Sequence, residues 1–431
     1  MRIFGLLILV LFSGCIQVNN SFDKLPPGIW RATLDLEKKS VAVDDEAVEN
    51  RAFEEVSKGE LPFNFEIKYE EDGTMNAIIL NGDEKMEVNN IQFGRMENRS
   101  IDTFLIDFPV YDTYLKGTFQ ERILNGKWVV NYKENYEIPF VAEFGRDYQF
   151  TNLNKEPEID LTGKWEVEFS LEDDPYPAIG EFVQKGNKIT GTFLTETGDY
   201  RFLGGSIQGN KLYLSCFDGS HAFLFEGKIL EDESIIGSFR SGNHYKTTWK
   251  ATRNQAVEIG NPYELTYLKD GYDKFDFSFP DPDGKTISLS DEQFKDKVVL
   301  VQILGTWCPN CRDETNFLVD YLKNNPNENL EIVGISYERH KDAEKAKAII
   351  KKYREKIEIP YPILYGGYFN KAQASESLPM LNKIISYPTM IYLDKKGEVR
   401  KIHTGFAGPA TSEYEGFKKE FNAFVGQLLS E

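Results

Sequence analysis

Cysteine is scarce in this 431-residue chain, with four residues at 15, 216, 308 and 311. A disulfide framework needs more than that over such a length. Histidine is equally sparse, at 221, 244, 340 and 403, and none lies within 25 residues of the pair at 308 and 311. A tetrahedral zinc site takes about four N, S or O ligands, so Cys308 and Cys311 lack the company for one. Haem attachment fails too, because Arg312 follows the second cysteine where a histidine is required. Positive charge is in deficit: 69 acidic against 50 basic residues give a net charge of −19. Such a surface repels a polyanion, which argues against a nucleic-acid partner. Apart from one run near the start, no apolar stretch approaches the roughly 20 residues of a spanning helix. What is present is a globular composition, 41% apolar and 13% aromatic, in a chain long enough for two to four domains.

The exceptional run is Ile3 to Phe12 (IFGLLILVLF), preceded by Arg2. Ten residues are too few to span a bilayer as a mature helix, and the pattern is that of a signal-peptide apolar region. It ends in Phe12-Ser13-Gly14-Cys15, which resembles a bacterial lipoprotein lipobox, with Phe12 where leucine is usual and Leu11 next to it. The resemblance implies that residues 1–14 are a signal peptide and that Cys15 is lipidated and holds the chain to a bilayer. Residues 15–27, polar and ending in Pro26-Pro27, then form a tether. No aspartate follows Cys15, which in that family points to an outer-membrane lipoprotein facing the periplasm. The competing reading is a plain secretory signal containing an incidental cysteine.

Residues 28–255 read as all-β. Short alternating runs such as FNFEIKYE (63–70), MNAIIL (75–80) and KITGTFL (188–194) are separated by EDG, NGD, KGN and QGN turns. The exception is the acidic stretch 44–60, a short helix or a loop excursion. A weak repeat divides the region. Gly28-Ile29-Trp30 is echoed by Gly163-Lys164-Trp165, and LKGTFQERILNGKWVV (115–130) by FEGKILEDESIIGSFR (225–240), each with a glycine pair nine or ten residues apart. The expectation is two related antiparallel β units, 28–155 and 160–255, built as sandwiches or barrels, against the alternative that β-rich sequence mimics itself by chance. Trp30, Trp128, Trp165 and Trp249 read as core residues, and Cys216, in the strand-like KLYLSCFDG, as a buried small hydrophobe. Docking of a partner, spacing from the membrane or shielding of a site are the roles open to this half.

Residues 256–273 read as a linker, and 274–431 as an α/β unit in which strands alternate with helices. Its apolar run VVLVQIL (298–304) is expected as a central strand buried on both faces. GTWCPNC (305–311) follows, and then a helix with Asp313, Glu314 and Thr315 placed in its first turn. Cys308 therefore falls at a helix N-terminus, where unpaired amides and the helix dipole lower a thiol pKa below about 8.5. Cys311 lies one turn deeper.

Trp307-Cys308-Pro309-Asn310-Cys311 resembles the active site of the thioredoxin fold. With the lead-in FDFSFPDPDGKTISLSD and the later DKKGEVRKIHTGFAG, the segment 274–431 resembles the TlpA/ResA-like thiol-disulfide oxidoreductases of the AhpC/TSA-redoxin superfamily. The resemblance implies a nucleophile at Cys308, a resolving thiol at Cys311 and the fold's cis-proline at Pro388, in Ser386-Tyr387-Pro388-Thr389. It further implies substrate contacts at Trp307 and Tyr387, and makes Glu338 a candidate for proton transfer. Gln302 stands where thioredoxins place a buried aspartate, and Asn316 replaces a proline common in the family helix. Glu314 is read as an ordinary first-turn acid. The implied activity is exchange of protein disulfides, most simply as a reductase recharged by a membrane thiol relay, with no metal or organic cofactor. Two alternatives stand beside it. One is a peroxiredoxin-like thiol peroxidase, whose signature proline and threonine positions hold Val301 and Gly305 here. The other is a lipid-anchored binding or assembly protein with a scaffold thioredoxin-like domain.

Overall fold

The computed structural model describes residues 24–37, 59–96, 101–170, 173–272 and 274–431. The signal segment, Cys15 and most of the tether lie outside those residues, as does nearly all of the acidic stretch 44–60. Among the described residues no helix is long and apolar enough to cross a membrane.

The first nine strands are β1 (Gly28–Asp35), β2 (Glu60–Tyr69), β3 (Met75–Asn81), β4 (Glu84–Val88), β5 (Ile91–Met96), β6 (Ile101–Phe108), β7 (Thr113–Gln120), β8 (Ile123–Val130) and β9 (Glu137–Phe144). They make one antiparallel sheet in the order β4-β3-β2-β1-β9-β8-β7-β6-β5, and among the described residues no ladder joins its two edges. The next nine are β10 (Gly163–Phe169), β11 (Tyr176–Lys185), β12 (Lys188–Thr195), β13 (Gly198–Asp199), β14 (Leu203–Gln208), β15 (Lys211–Phe217), β16 (Ala222–Ile229), β17 (Ile235–Ser241) and β18 (Tyr245–Arg253). Here β11 also pairs with β12, so the sheet closes into a barrel.

The repeat seen in the sequence is a structural one. Trp30 and Trp165 are both fully buried near the start of their sheets, and each indole N–H donates to the carbonyl four residues earlier, Pro26 at 3.1 Å and Leu161 at 2.9 Å. The glycine pairs also correspond. Gly117 faces Gly126 across β7 and β8, and Gly227 faces Gly237 across β16 and β17. A Cβ on Gly126 would stand 2.0 Å from the Lys116 carbonyl oxygen, and one on Gly237 would stand 2.2 Å from that of Glu226. Close backbone approach therefore requires glycine in both hairpins.

The segment after β18 is fastened rather than loose. The carbonyls of Pro262 and Tyr267 accept from the amides of Thr404 and Asn382, and Lys269 N donates to Met380 O. A small hairpin, β19 (Ser278–Pro280) and β20 (Thr286–Ser288), leads into a five-stranded sheet made of β21 (Val298–Leu304), β22 (Leu330–Glu338), β23 (Ile363–Tyr368), β24 (Thr389–Leu393) and β25 (Val399–Thr404). Its order is β23-β22-β21-β24-β25, with β21, β22 and β23 parallel and β24 antiparallel to β21. The helices are α1 (Pro309–Asn324), α2 (Ala343–Ile357), α3 (Lys371–Ser377) and α4 (Tyr414–Ser430). Every residue of β21 is buried, as a central strand covered on both faces requires.

Candidate active site

The site forms where β21 ends and β24 begins. Those strands run in opposite directions, and Ile303 pairs with Thr389, so the turn leaving β21 lies beside the loop entering β24. That turn carries Gly305, Thr306 and Trp307, after which α1 starts at Pro309. Proline suits the first helical position because its missing N–H would be unpaired there anyway. Cys308 is the N-cap residue, and its sulfur accepts from the amide of Cys311 at 3.2 Å. Cys308 and Cys311 are paired as a disulfide, with Cα atoms 5.2 Å apart. Cys311 is fully buried and Cys308 is 7% exposed, so the outer sulfur is the reachable one. Across from the pair, Tyr387–Pro388 is a cis peptide, and the Tyr387 carbonyl oxygen lies 3.5 Å from the Cys308 sulfur.

Around the pair, Trp307 donates from its indole to the Tyr337 carbonyl at 2.9 Å and meets the Tyr387 ring edge-on. The Arg339 guanidinium lies over its ring, 4.0 Å from the ring centre. Tyr387 is buried and donates its hydroxyl to Phe369 O at 3.1 Å. Glu338 is buried at the end of β22, and burial raises its pKa above the ordinary carboxylate value. Its carboxylate accepts from Thr306 N at 3.2 Å, Thr306 Oγ1 at 2.8 Å and Ser336 Oγ at 2.5 Å. These bonds brace the turn before Cys308, while no hydrogen bond joins Glu338 to either cysteine.

One acid passed over in the sequence lies one helical turn from Cys311. The helix begins at Pro309, so Asp313 and Glu314 lie beyond its first turn. Glu314 is fully buried, and burial pushes its pKa up to about 8. Gln302 on β21 donates to the Glu314 carboxylate at 2.8 Å and to the Cys311 carbonyl at 3.4 Å, and receives the Thr315 hydroxyl at 3.1 Å. Among the described residues Glu314 Oε1 has no hydrogen-bond partner. The signal was available in the spacing, since Cys311, Glu314, Thr315 and Leu318 form one inward helical stripe. A carboxylate inside such a stripe is buried unless the helix turns away from its sheet. Among the described residues no cluster of histidine, cysteine or acidic side chains is arranged to hold a metal.

A family model for the AhpC/TSA family matches residues 271–402. Thioredoxin-like protein YneN of Bacillus subtilis is 28% identical over 138 residues, covering 32% of this chain and 73% of that protein. Thiol-disulfide oxidoreductase ResA of the same organism is 25% identical over 138 residues, covering 32% and 69%. Residues 271–402 form a TlpA/ResA-like thioredoxin-fold domain. Its enzyme class is protein disulfide oxidoreductase. A crystal structure of a thiol:disulfide interchange protein from Chlorobium tepidum TLS aligns with 37% of this chain and 99% of its own, at 23% identity and a TM-score of 0.28. The family match to the thioredoxin-fold domain begins after β18, so the open sheet and the barrel stand outside it.

Proposed function

We propose that this chain reduces disulfides in protein clients outside the cytoplasm, through Cys308 and Cys311. The observation that carries the reading is the position of the Cys308 sulfur, at a helix N-cap, bonded to Cys311 and facing cis-Pro388. In the reduced enzyme the Cys308 thiolate attacks one sulfur of a client disulfide, and the other client sulfur leaves as a thiolate and takes up a proton. Cys311, deprotonated, then attacks the Cys308 sulfur of the mixed disulfide, which releases the second client thiol and leaves the 308–311 disulfide. Two electrons pass to the client. A membrane thiol relay returns two electrons to the pair, and a lipid on Cys15 keeps the enzyme beside it.

Glu314 is the proton acceptor we assign to Cys311, one helical turn away and linked to its backbone through Gln302. Trp307 and the Tyr387 backbone line the client's approach, and Glu338 holds the turn that aims Cys308.

Replacing Cys311 with serine is expected to trap clients as Cys308-linked mixed disulfides, and Cys308→Ser to abolish reduction of insulin disulfides. Absence of any Cys308 adduct would sink the assignment. Direction is read from the reduction potential of the pair, near about −270 mV for a reductase and near about −120 mV for an oxidase.

The raised pKa of Glu314 also sets a stability slope. Its folded value lies above the ordinary 4.5, so the folded state binds the extra proton between about 4.5 and about 8. The folded state is favoured below that window and loses stability as pH rises through it, by at most ~1.4 kcal/mol per pH unit. Glu314→Gln should remove this slope. Its thermal midpoint should gain on the parent's from about pH 5 to about pH 8, and a constant difference across that range would refute the assignment.

A further inference from the structure

Three hydrogen bonds tie the barrel to the residues that flank the two cysteines. Ser220, in the turn after β15, donates to the carbonyl of Trp307 at 2.8 Å. Asn310, between the cysteines, donates to Asp199 O at 2.9 Å. Ser386, next to the cis-proline loop, donates to Thr197 O at 2.8 Å. The residues before, between and opposite the sulfurs are thus all in contact with one neighbouring unit. The fit leaves no spare room. A Cβ on Gly198 would stand 2.7 Å from Asn310 Nδ2, and a Cβ on Gly405 would stand 2.7 Å from the Thr197 carbonyl carbon. Asp199 secures the tip by accepting from the amide of Gly408 at 2.7 Å.

We propose that the hairpin tip Thr195–Asp199, with the turn Asp218–His221, is a built-in cover that occupies the client groove, so that a protein disulfide reaches Cys308 only when the cover lifts. This rests on the disulfide-exchange reading above. The Thr197 carbonyl sits beside Ser386-Tyr387-Pro388, where an extended client would pair in this fold, so tip and client compete for one position. Gly198 has φ 132° and Arg201 φ 63°, conformations that resist ordinary side chains. Arg201 is held there by ion pairs to Asp313 on α1 and to Glu84 of the first sheet, and its amide donates to Asp199 Oδ1 at 2.7 Å. The cover is therefore pinned by polar contacts at its tip and carries a left-handed residue at its base. Each lost hydrogen bond shifts the open–closed balance roughly fivefold.

The test uses the full chain in reduced form. Cys308 is alkylated with iodoacetamide and, separately, with a maleimide carrying a bulky polyethylene glycol chain, and modification at Cys308 is read by mass spectrometry. Ser220→Ala should raise the ratio of bulky to small reagent rates roughly fivefold, and Gly198→Ala roughly tenfold. Insulin-disulfide reduction should rise in parallel. Should Gly198→Ala fail to fold, Ser220→Ala alone carries the test. A ratio equal to wild type in both variants overturns the cover. If wild type reduces insulin as fast as the variants, the cover falls and the exchange reading stands. If the ratios rise but no form reduces insulin, the cover stands and the exchange reading falls.

Discussion

The two β units begin alike and end differently. Both bury a tryptophan whose indole N–H caps the chain four residues back, and both press two glycines together in a hairpin. The second closes through β11 and β12, and its interior is a core of its own, filled by Trp165, Phe169, Phe193, Phe225 and Trp249 among others. The first has two unjoined edges, and its core runs on into that of the thioredoxin-fold domain. The barrel packs into that core. Phe217, at the end of β15, packs 4.5 Å from Phe63 ring to ring and meets Phe108 and Trp128 edge-on. Asn81 clamps the Phe217 backbone from both sides, donating to its carbonyl at 2.9 Å and accepting its amide at 3.1 Å. A closed sheet satisfies itself, whereas an open one must borrow apolar surface from its neighbours.

The largest expected effect tests that loan. Phe217→Ala should cost about 3–5 kcal/mol, as buried Phe→Ala changes do. Amide exchange should accelerate in β2 and β6 more than in β10 and β18, although Phe217 belongs to the barrel. Faster exchange confined to the barrel would contradict the borrowed core. A smaller effect probes the likeness of the units. Gly126→Ala and Gly237→Ala each force a Cβ against a facing backbone oxygen. Both should lower stability by about 1–3 kcal/mol, measured by denaturant unfolding. If one is silent, the hairpins are not equivalent. The smallest concerns the outer contacts of the first unit. His340 and Asp112 join it to the thioredoxin-fold domain at 2.7 Å with both side chains partly in water. Asp112→Asn should shift the thermal midpoint by an amount corresponding to under about 1 kcal/mol.

The legibility of the chain follows the range of its interactions. The redox pair was readable because everything that defines it is local: an apolar strand, a two-residue gap between cysteines, proline at the first helical position and a second proline before another strand. The units' likeness was readable through Trp30 and Trp165, whose partners lie four residues away. Glu314 was misplaced by one turn, because α1 starts at Pro309 rather than later, and one turn converts a solvated acid into a buried one. A barrel was one of two architectures the sequence left open for these units, but which unit would close, the Phe217 contacts and the Thr197–Ser386 contact were not legible. Each joins positions that share no local pattern, the last pair 189 residues apart. The repeat also hid the asymmetry, since identical starts gave no hint that only one sheet would close.

The placement of β13 has a mechanical consequence. Its two residues pair with Leu194 and Thr195 at the far end of β12, beyond the point where β14 takes over the ladder. The ring of strands is complete without it. The tip therefore behaves like a tab on a rigid hoop: Tyr200, bonded through its amide to Phe193 O and packed against the barrel's aromatic core, anchors its base, and the force needed to move the tip beyond that anchor is set separately from the force needed to unfold what carries it.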